Sequence, residues 1–272
     1  LSGSGDAVFS DELNHASLID GCRLGRGAVH VYRHADVGHL EALLRQHAGS
    51  ARRRVIVSDT VFSMDGDLAP LAELVRLAER FDALLVIDEA HATGVLGERG
   101  TGLTELLAPE ECGDPDRLVK VGTLSKALGC QGGFVCGTRR LVRWLVNAAR
   151  PYIFSTAMSP PVAAAARAAV RIAAAAAGQR RHLARLREVL QQHLAGLDYP
   201  AARSTSPILP IVVGEPGEAV RLSAKLRERG LLVPAIRPPT VPPGTARLRV
   251  SLTAGHTEDD VRRLAEALRD AR

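Results

Sequence analysis

The stretch Ala83-Leu-Leu-Val-Ile-Asp88-Glu-Ala-His91 decides how the fold is read. Five apolar residues run without a polar interruption and stop at an acid, too short for a helix buried all round and right for a strand covered on both faces. Upstream, Arg54-Val-Ile-Val-Ser58 has the same character. Between the two, Leu68 to Phe81 predicts a helix, with Leu71, Leu74, Val75 and Leu77 on one side. Downstream, Leu118 to Gly122 and Gly133 to Gly137 predict two more strands, and Arg139 to Ala149 a helix. Strands alternating with helices give an α/β class with a mainly parallel sheet.

The second half has a different texture. An Ala-rich helical region runs from about Val162 to Leu197, with a break expected at Gly178. The stretch Ile208-Leu-Pro-Ile-Val-Val213 then starts a smaller α/β unit. Its expected parts are a helix (Glu218 to Arg229), a strand (Leu231 to Ile236), a Pro-rich loop, a strand (Ala246 to Leu252) and a last helix from Thr257. Arg237-Pro-Pro-Thr-Val-Pro-Pro-Gly244 holds too many prolines for a helix or a central strand. The expected division is a large domain over 1–178 and a small C-terminal α/β domain over 179–272.

Composition narrows the function classes. The chain has 272 residues, 46% of them hydrophobic and 24% charged, as in ordinary globular proteins. No run approaches the ~18 apolar residues of a membrane span; Pro160 to Gly178 is mostly Ala and is interrupted by Arg167 and Arg171. The opening, Leu1-Ser-Gly-Ser-Gly-Asp6, lacks the regions of a signal peptide and reads as the start of a fragment. Cys22, Cys112, Cys130 and Cys136 form no C-x-x-C pair, which fits a reducing cytoplasm rather than a zinc site or disulfide framework. The net charge of +5 comes from arginines interleaved with acids, and aromatics are only 3%, so neither a nucleic-acid surface nor a membrane surface is expected. His30, His34 and His39 share no helical face and make no metal set.

Two constellations carry chemistry. Asp88-Glu-Ala-His91 ends a strand, where ligands bind in parallel sheets. The same four letters form a helicase box, but that reading needs a phosphate loop with Gly-Lys, and the chain contains no Gly-Lys pair. Gly122-Thr-Leu-Ser-Lys126-Ala-Leu-Gly129 places a lysine just past another strand, among small and hydroxyl residues. Of the other two lysines, Lys225 sits on a charged helix and Lys120 within a strand. A lysine at one strand end and an acid at another have a joint meaning. Pyridoxal phosphate (PLP) needs an amine for its aldehyde and an acid to keep its ring nitrogen protonated, so that the ring acts as an electron sink.

These segments resemble the α-oxoamine synthases, fold type I PLP-dependent transferases. The likeness is carried in order by Leu13-Asn-His-Ala-Ser17, Phe62-Ser-Met-Asp-Gly-Asp67, Ile87-Asp-Glu-Ala-His-Ala-Thr-Gly94, Gly122-Thr-Leu-Ser-Lys126, Phe154-Ser-Thr156, and Pro239-Thr-Val-Pro242 with Arg247-Leu-Arg249. Relatives begin well upstream of Leu1, and Ser125 stands where Gly is frequent among them. Ala235 to Pro242 and Gly244 to Arg249 are most similar to the acyltransferases that join L-alanine to a pimeloyl thioester, on coenzyme A or a carrier protein, with loss of carbon dioxide, in biotin synthesis. The resemblance implies a homodimer.

It also implies roles. Lys126 would bind the cofactor and move the α-proton, Asp88 would pair with the ring nitrogen, and His91 would bond the ring oxygen. His15 would stack on the ring and position the thioester carbonyl. Ser63 would contact the cofactor, Thr123 its phosphate, and Ser155 or Thr156 a phosphate in the partner subunit. Thr240 would lie near the substrate, and Arg249 would bind the amino-acid carboxylate. Competing expectations are a glycine-using synthase of the same family and a non-catalytic remnant. Bland alternatives stand beside these roles: His15 as a surface histidine, Ser63 to Asp67 as a simple turn, Thr156 as a helix cap, and Arg249 paired with Glu258.

Overall fold

A computed structural model of the protein describes residues 1–47, 49–195, 197 and 204–271. The elements of the first half are β1 (Ala7–Asp11), α1 (Ala16–Leu24), β2 (Ala28–Tyr32), α2 (Val37–His47), β3 (Arg54–Asp59), α3 (Leu71–Arg80), β4 (Ala83–Asp88), β5 (Leu118–Thr123), β6 (Gly133–Cys136), α4 (Arg139–Ala148), α5 (Arg150–Ile153) and α6 (Pro160–Ala175). Those of the second half are α7 (Ala177–Ala195), β7 (Ile208–Gly214), α8 (Pro216–Glu228), β8 (Ala235–Ile236), β9 (Ala246–Ser251) and α9 (Glu258–Asp270). Contacts divide the chain into two units: Leu1–Phe62 with Ala69–Ala176, and Ser63–Leu68 with Ala177–Arg272.

The first unit is an α/β layer structure. Its six strands lie in the order β2-β1-β3-β4-β5-β6, all parallel except β6, which runs antiparallel to β5. Both faces of the central strands are covered, and the sequence shows why. Val55, Val57, Val86 and Val119 turn to one face and pack with Val8, Cys22, Leu18 and Leu141. Strand alternation sends Phe9, Ile56, Leu85 and Ile87 to the other, and all four are buried. The amphipathic α3 adds Leu71, Leu74, Val75 and Leu77 to the core. It starts at Leu71, later than the expected Leu68, with Pro70 at its N-cap position. The segment before β3 carried no prediction, yet it builds β1 and β2.

The chain makes β1, passes outward to β2, then returns to place β3 on the other side of β1. That reversal is a topological switch point, and it opens a crevice at the carboxyl ends of β1 and β3. Asp11, Asp59 and Asp88 end β1, β3 and β4, and Asp59 lies in register with Asp88.

The second unit has a three-stranded antiparallel sheet in the order β7-β9-β8. Helix α8 packs against this sheet, and α7 and α8 pack with α9. Strand β8 is only Ala235–Ile236, shorter than the expected Leu231 to Ile236. Pro234 has no N–H to donate to a ladder, although its carbonyl accepts from Arg249 N at 3.0 Å. The helical break falls at Ala176, and Gly178 lies in the first turn of α7. Thr257 caps α9 in a reciprocal box with Asp260. Among the described residues, no single helix is long and apolar enough to cross a membrane.

The loop Ser63–Leu68 leaves β3 but clusters with the second unit. Arg247 on β9, nearly fully buried, pairs with the Asp65 carboxylate and donates to the carbonyls of Met64 and Thr245. Ser204 Oγ donates to Gly66 O at 2.8 Å. Gly66 has φ +71°, and a Cβ there would sit 2.1 Å from Ile208 O, so only glycine permits this close approach. The motif is therefore more than a turn: two elements of the second unit hold it.

Candidate active site

The carboxyl end of the first unit's sheet gathers the charged residues that the sequence singles out. Asp88 is half-buried at the end of β4, and its Oδ1 accepts from Ala90 N at 2.8 Å. Burial raises its carboxyl above the ordinary value, opposed by the Ala90 N–H and by the charges of Lys126 and His15. Lys126 lies just past β5, exposed, and its amine makes no hydrogen bond or ion pair among the described residues. The structure thus brings both Lys126 and His15 within electrostatic reach of Asp88.

His15 follows β1 as the N-cap residue of α1, with Nδ1 2.8 Å from Ser17 Oγ. It is exposed, as a surface histidine would be, but its backbone is anchored: His15 N donates to Asp59 Oδ2 at 2.6 Å. His91 is half-buried in the turn three residues beyond Asp88. Thr123 ends β5, its Oγ1 2.6 Å from Ser125 Oγ and accepting from Ser125 N at 3.1 Å. These two exposed hydroxyls and a nearby amide form a small polar ledge beside Lys126. Ser155 and Thr156 are exposed in the irregular stretch before α6. The cap position of α6 is Ser159, so Thr156 has no capping role.

In the second unit, Arg249 is half-buried on β9 and donates to Ser63 O and, at 2.9 Å, to Ser251 Oγ. Both acceptors are neutral, and burial lowers its affinity for its proton. It does not pair with Glu258, which binds Arg185 at 2.5 Å. A guanidinium half out of water without a carboxylate partner suits an incoming anion. Thr240 is exposed in the Pro-rich loop, its N donating to Arg237 O at 3.0 Å.

The donor set fits PLP. It offers an unengaged amine for the aldehyde, a half-buried acid held ionisable by cations and an N–H, and hydroxyl donors for a phosphate. Other histidines are accounted for structurally. His30 stacks on Phe9 and His47, His34 contacts Asp11 and Phe62, and His39 accepts from Arg33 N.

Sequence reasoning passed over Asp59, Asn14 and Glu89. Asp59 is buried and in register with Asp88. Asn14 staples the same corner: its Oδ1 accepts from Asp59 N at 2.8 Å, and its Nδ2 donates to Ser10 Oγ and Val57 O, both at 2.9 Å. Glu89 is 1% exposed and accepts from Thr60 Oγ1, Leu103 N and Thr104 N. The one local hint for Asp59 was an acid ending an apolar strand, the hint that did single out Asp88.

A model of the aminotransferase class I and II family matches residues 1–268. The chain is 52% identical over 256 residues to an 8-amino-7-oxononanoate synthase of Anaeromyxobacter dehalogenans, covering 94% of this chain. It spans about 63% of that relative's length. A serine palmitoyltransferase from S. paucimobilis with PLP and myriocin bound superposes with a TM-score of 0.93 at 32% identity, over 100% of this chain and 67% of the other. An 8-amino-7-oxononanoate synthase from Francisella tularensis does so with a TM-score of 0.80 at 29% identity, over 99% and 76%.

Proposed function

Because the chain belongs to the aminotransferase class I and II family, we propose that it serves PLP-dependent condensation of L-alanine with a pimeloyl thioester. The products are 8-amino-7-oxononanoate, carbon dioxide and the free thiol. The observation that carries this is Lys126, an unengaged amine placed with Asp88 and His15 at the carboxyl end of a parallel sheet. The choice of alanine and pimeloyl substrates follows the relatives at about half identity, and the Pro-rich loop resemblance supports it.

When bound, PLP supplies an electron sink for charge developing at the α-carbon. The protein's residues do the rest. Lys126 takes the α-proton and returns it to the product. Asp88 would pair with the ring nitrogen and His91 with the ring oxygen. His15 would stack on the ring and position the thioester carbonyl. Thr123, with Ser125 beside it, holds the phosphate, and Ser155 or Thr156 does so for a partner subunit in a cytoplasmic homodimer. Ser63 contacts the cofactor, Thr240 the substrate, and Arg249 takes the amino-acid carboxylate.

The test is covalent. The chain is mixed with PLP, reduced with borohydride, digested and mapped by mass spectrometry. A pyridoxyl group confined to Lys126 is the expected result. No label, or equal labelling of Lys120, Lys126 and Lys225, would defeat the proposal. Substrate choice is read from turnover with L-alanine against glycine. Arg249→Ala should raise KM for the amino acid about 10–100-fold, the worth of a charge-assisted pair of about 1.5–3 kcal/mol. An unchanged KM would remove Arg249 from carboxylate recognition.

A further inference from the structure

Asp11, Asp59 and Asp88 stand at the ends of β1, β3 and β4, which are adjacent in the sheet. Neighbouring strands are about 4.8 Å apart, so Asp59 and Asp88, in register on adjacent strands, lie close together, with Asp11 ending the strand on the other side of β3. Asp11 and Asp59 are almost fully buried, and Asp88 is half-buried. Buried acids this close do not all ionise; the one that combines deep burial with few donors keeps a proton.

The donors are unevenly shared. Asp11 accepts from Leu13 N at 2.9 Å and Ala35 N at 2.9 Å, and His34 Nδ1 lies 3.1 Å from it. Asp88 has the Ala90 N–H and the charges of Lys126 and His15. Asp59 has one donor, the His15 N–H on Oδ2, and its Oδ1 makes no hydrogen bond among the described residues. The charged groups acting on it are Asp88 and Asp11, which favour its proton, and Lys126, which opposes it.

We propose that Asp59 is a positioning residue that keeps its proton through the weakly acidic range. Its Oδ2 fixes the backbone of His15 at the switch point, and its protonated Oδ1 leaves Asp88 as the negative charge offered to the cofactor. This rests on the function proposed above. The His15 bond survives protonation, because a carboxylic acid still accepts through its carbonyl oxygen. In agreement, burial pushes the Asp59 carboxyl up to about 7, helped by the Asp88 and Asp11 charges and opposed by the His15 N–H and the Lys126 charge.

Carbon-13 NMR of the cofactor-free chain labelled at aspartate carboxyls tests the charge state. The signal missing in Asp59→Asn should titrate with a midpoint near 7; a midpoint below about 5 overturns the proposal. Stability gives a second readout. An acid whose folded value lies above its unfolded one binds more protons when folded, so it costs stability as pH rises from about 4 to about 7. Between those limits the wild type should lose about 5 °C or more of Tm relative to Asp59→Asn. Parallel Tm profiles would count against it.

Positioning is read from the two variants together. Asparagine keeps an acceptor for His15 N and mimics the neutral acid, whereas alanine keeps neither. With PLP and both substrates, kcat of Asp59→Ala should be at least tenfold below that of Asp59→Asn. Equal losses would mean that the negative charge, not the acceptor, matters, and the proposal fails. A midpoint near 7 without borohydride labelling of Lys126 would sink the PLP reading and leave the charge assignment standing. Labelling with a midpoint below about 5 would do the reverse.

Discussion

Lys126→Ala is expected to lower turnover by on the order of 10⁴-fold, the upper range for losing a positioned acid–base group, and to abolish the borohydride-fixed label. The size of the effect follows from the lack of a substitute. The chain has three lysines. Lys120 is tied to Thr104 Oγ1, and Lys225 belongs to the second unit, where its Nζ donates to Ala271 O at 3.1 Å. Lys126 alone is an exposed amine past the end of a central strand. On the proposed function, its loss would remove both the covalent anchor and the proton carrier. The variant should fold as the wild type does, because the side chain makes no hydrogen bond or ion pair among the described residues. Circular dichroism and a thermal melt check that point. A variant that kept near-native turnover, with the label moved to another lysine, would end the assignment of this residue.

Glu89→Ala is expected to act in the opposite way, destabilising the fold by about 2–6 kcal/mol, two buried N–H donors at about 1–3 kcal/mol each, before any effect on chemistry. Glu89 adjoins Asp88, yet the two face different tasks. The Glu89 carboxylate is enclosed and takes hydrogen bonds from Thr60 Oγ1 at 2.9 Å, Leu103 N at 2.9 Å and Thr104 N at 3.2 Å. Alanine would leave the Leu103 and Thr104 N–H groups in a protein interior with no acceptor, at about 1–3 kcal/mol each where water cannot enter, while Thr60 Oγ1 keeps Asp88 O at 2.8 Å. The surrounding backbone is built around this carboxylate. Gly102 has φ +108°, and a Cβ there would lie 2.5 Å from it. The measurement is a urea titration, read as a lower midpoint at unchanged m. A shift under 1 kcal/mol would show that the site relaxes or hydrates. The resemblance of Asp88 to His91 to a helicase box thus dissolves on structural grounds too: its second letter is a structural tie.

Much of the first unit was legible from local pattern. Unbroken apolar runs such as Ala83 to Ile87 can be satisfied only by a strand covered on both faces, and α3 announces its buried side by spacing. Asp88 and Lys126 stood out because few residue types can hold a cofactor aldehyde and a pyridine nitrogen. The first strand was missed because Ala7-Val-Phe-Ser-Asp11 is short and its polar end gives no periodicity. The role of Asp59 was missed because nothing in Ser58-Asp-Thr60 distinguishes it from an ordinary strand end.

By itself, then, the sequence determined the α/β class and the alternation of elements, and it singled out the pair of residues on which the proposed chemistry rests. These are set by side-chain chemistry and by periodicities of two and 3.6 residues, which act over one element at a time. Tertiary structure alone decided what depends on register and topology. It set β6 antiparallel to β5, assigned Ser63–Leu68 to the second unit through Arg247 and Ser204, and brought Asp59 level with Asp88. It also enclosed one of two adjacent acids, Glu89, and left the other, Asp88, half-buried. Burial and like-charge crowding are properties of neighbours in space, and no stretch of chain carries them alone.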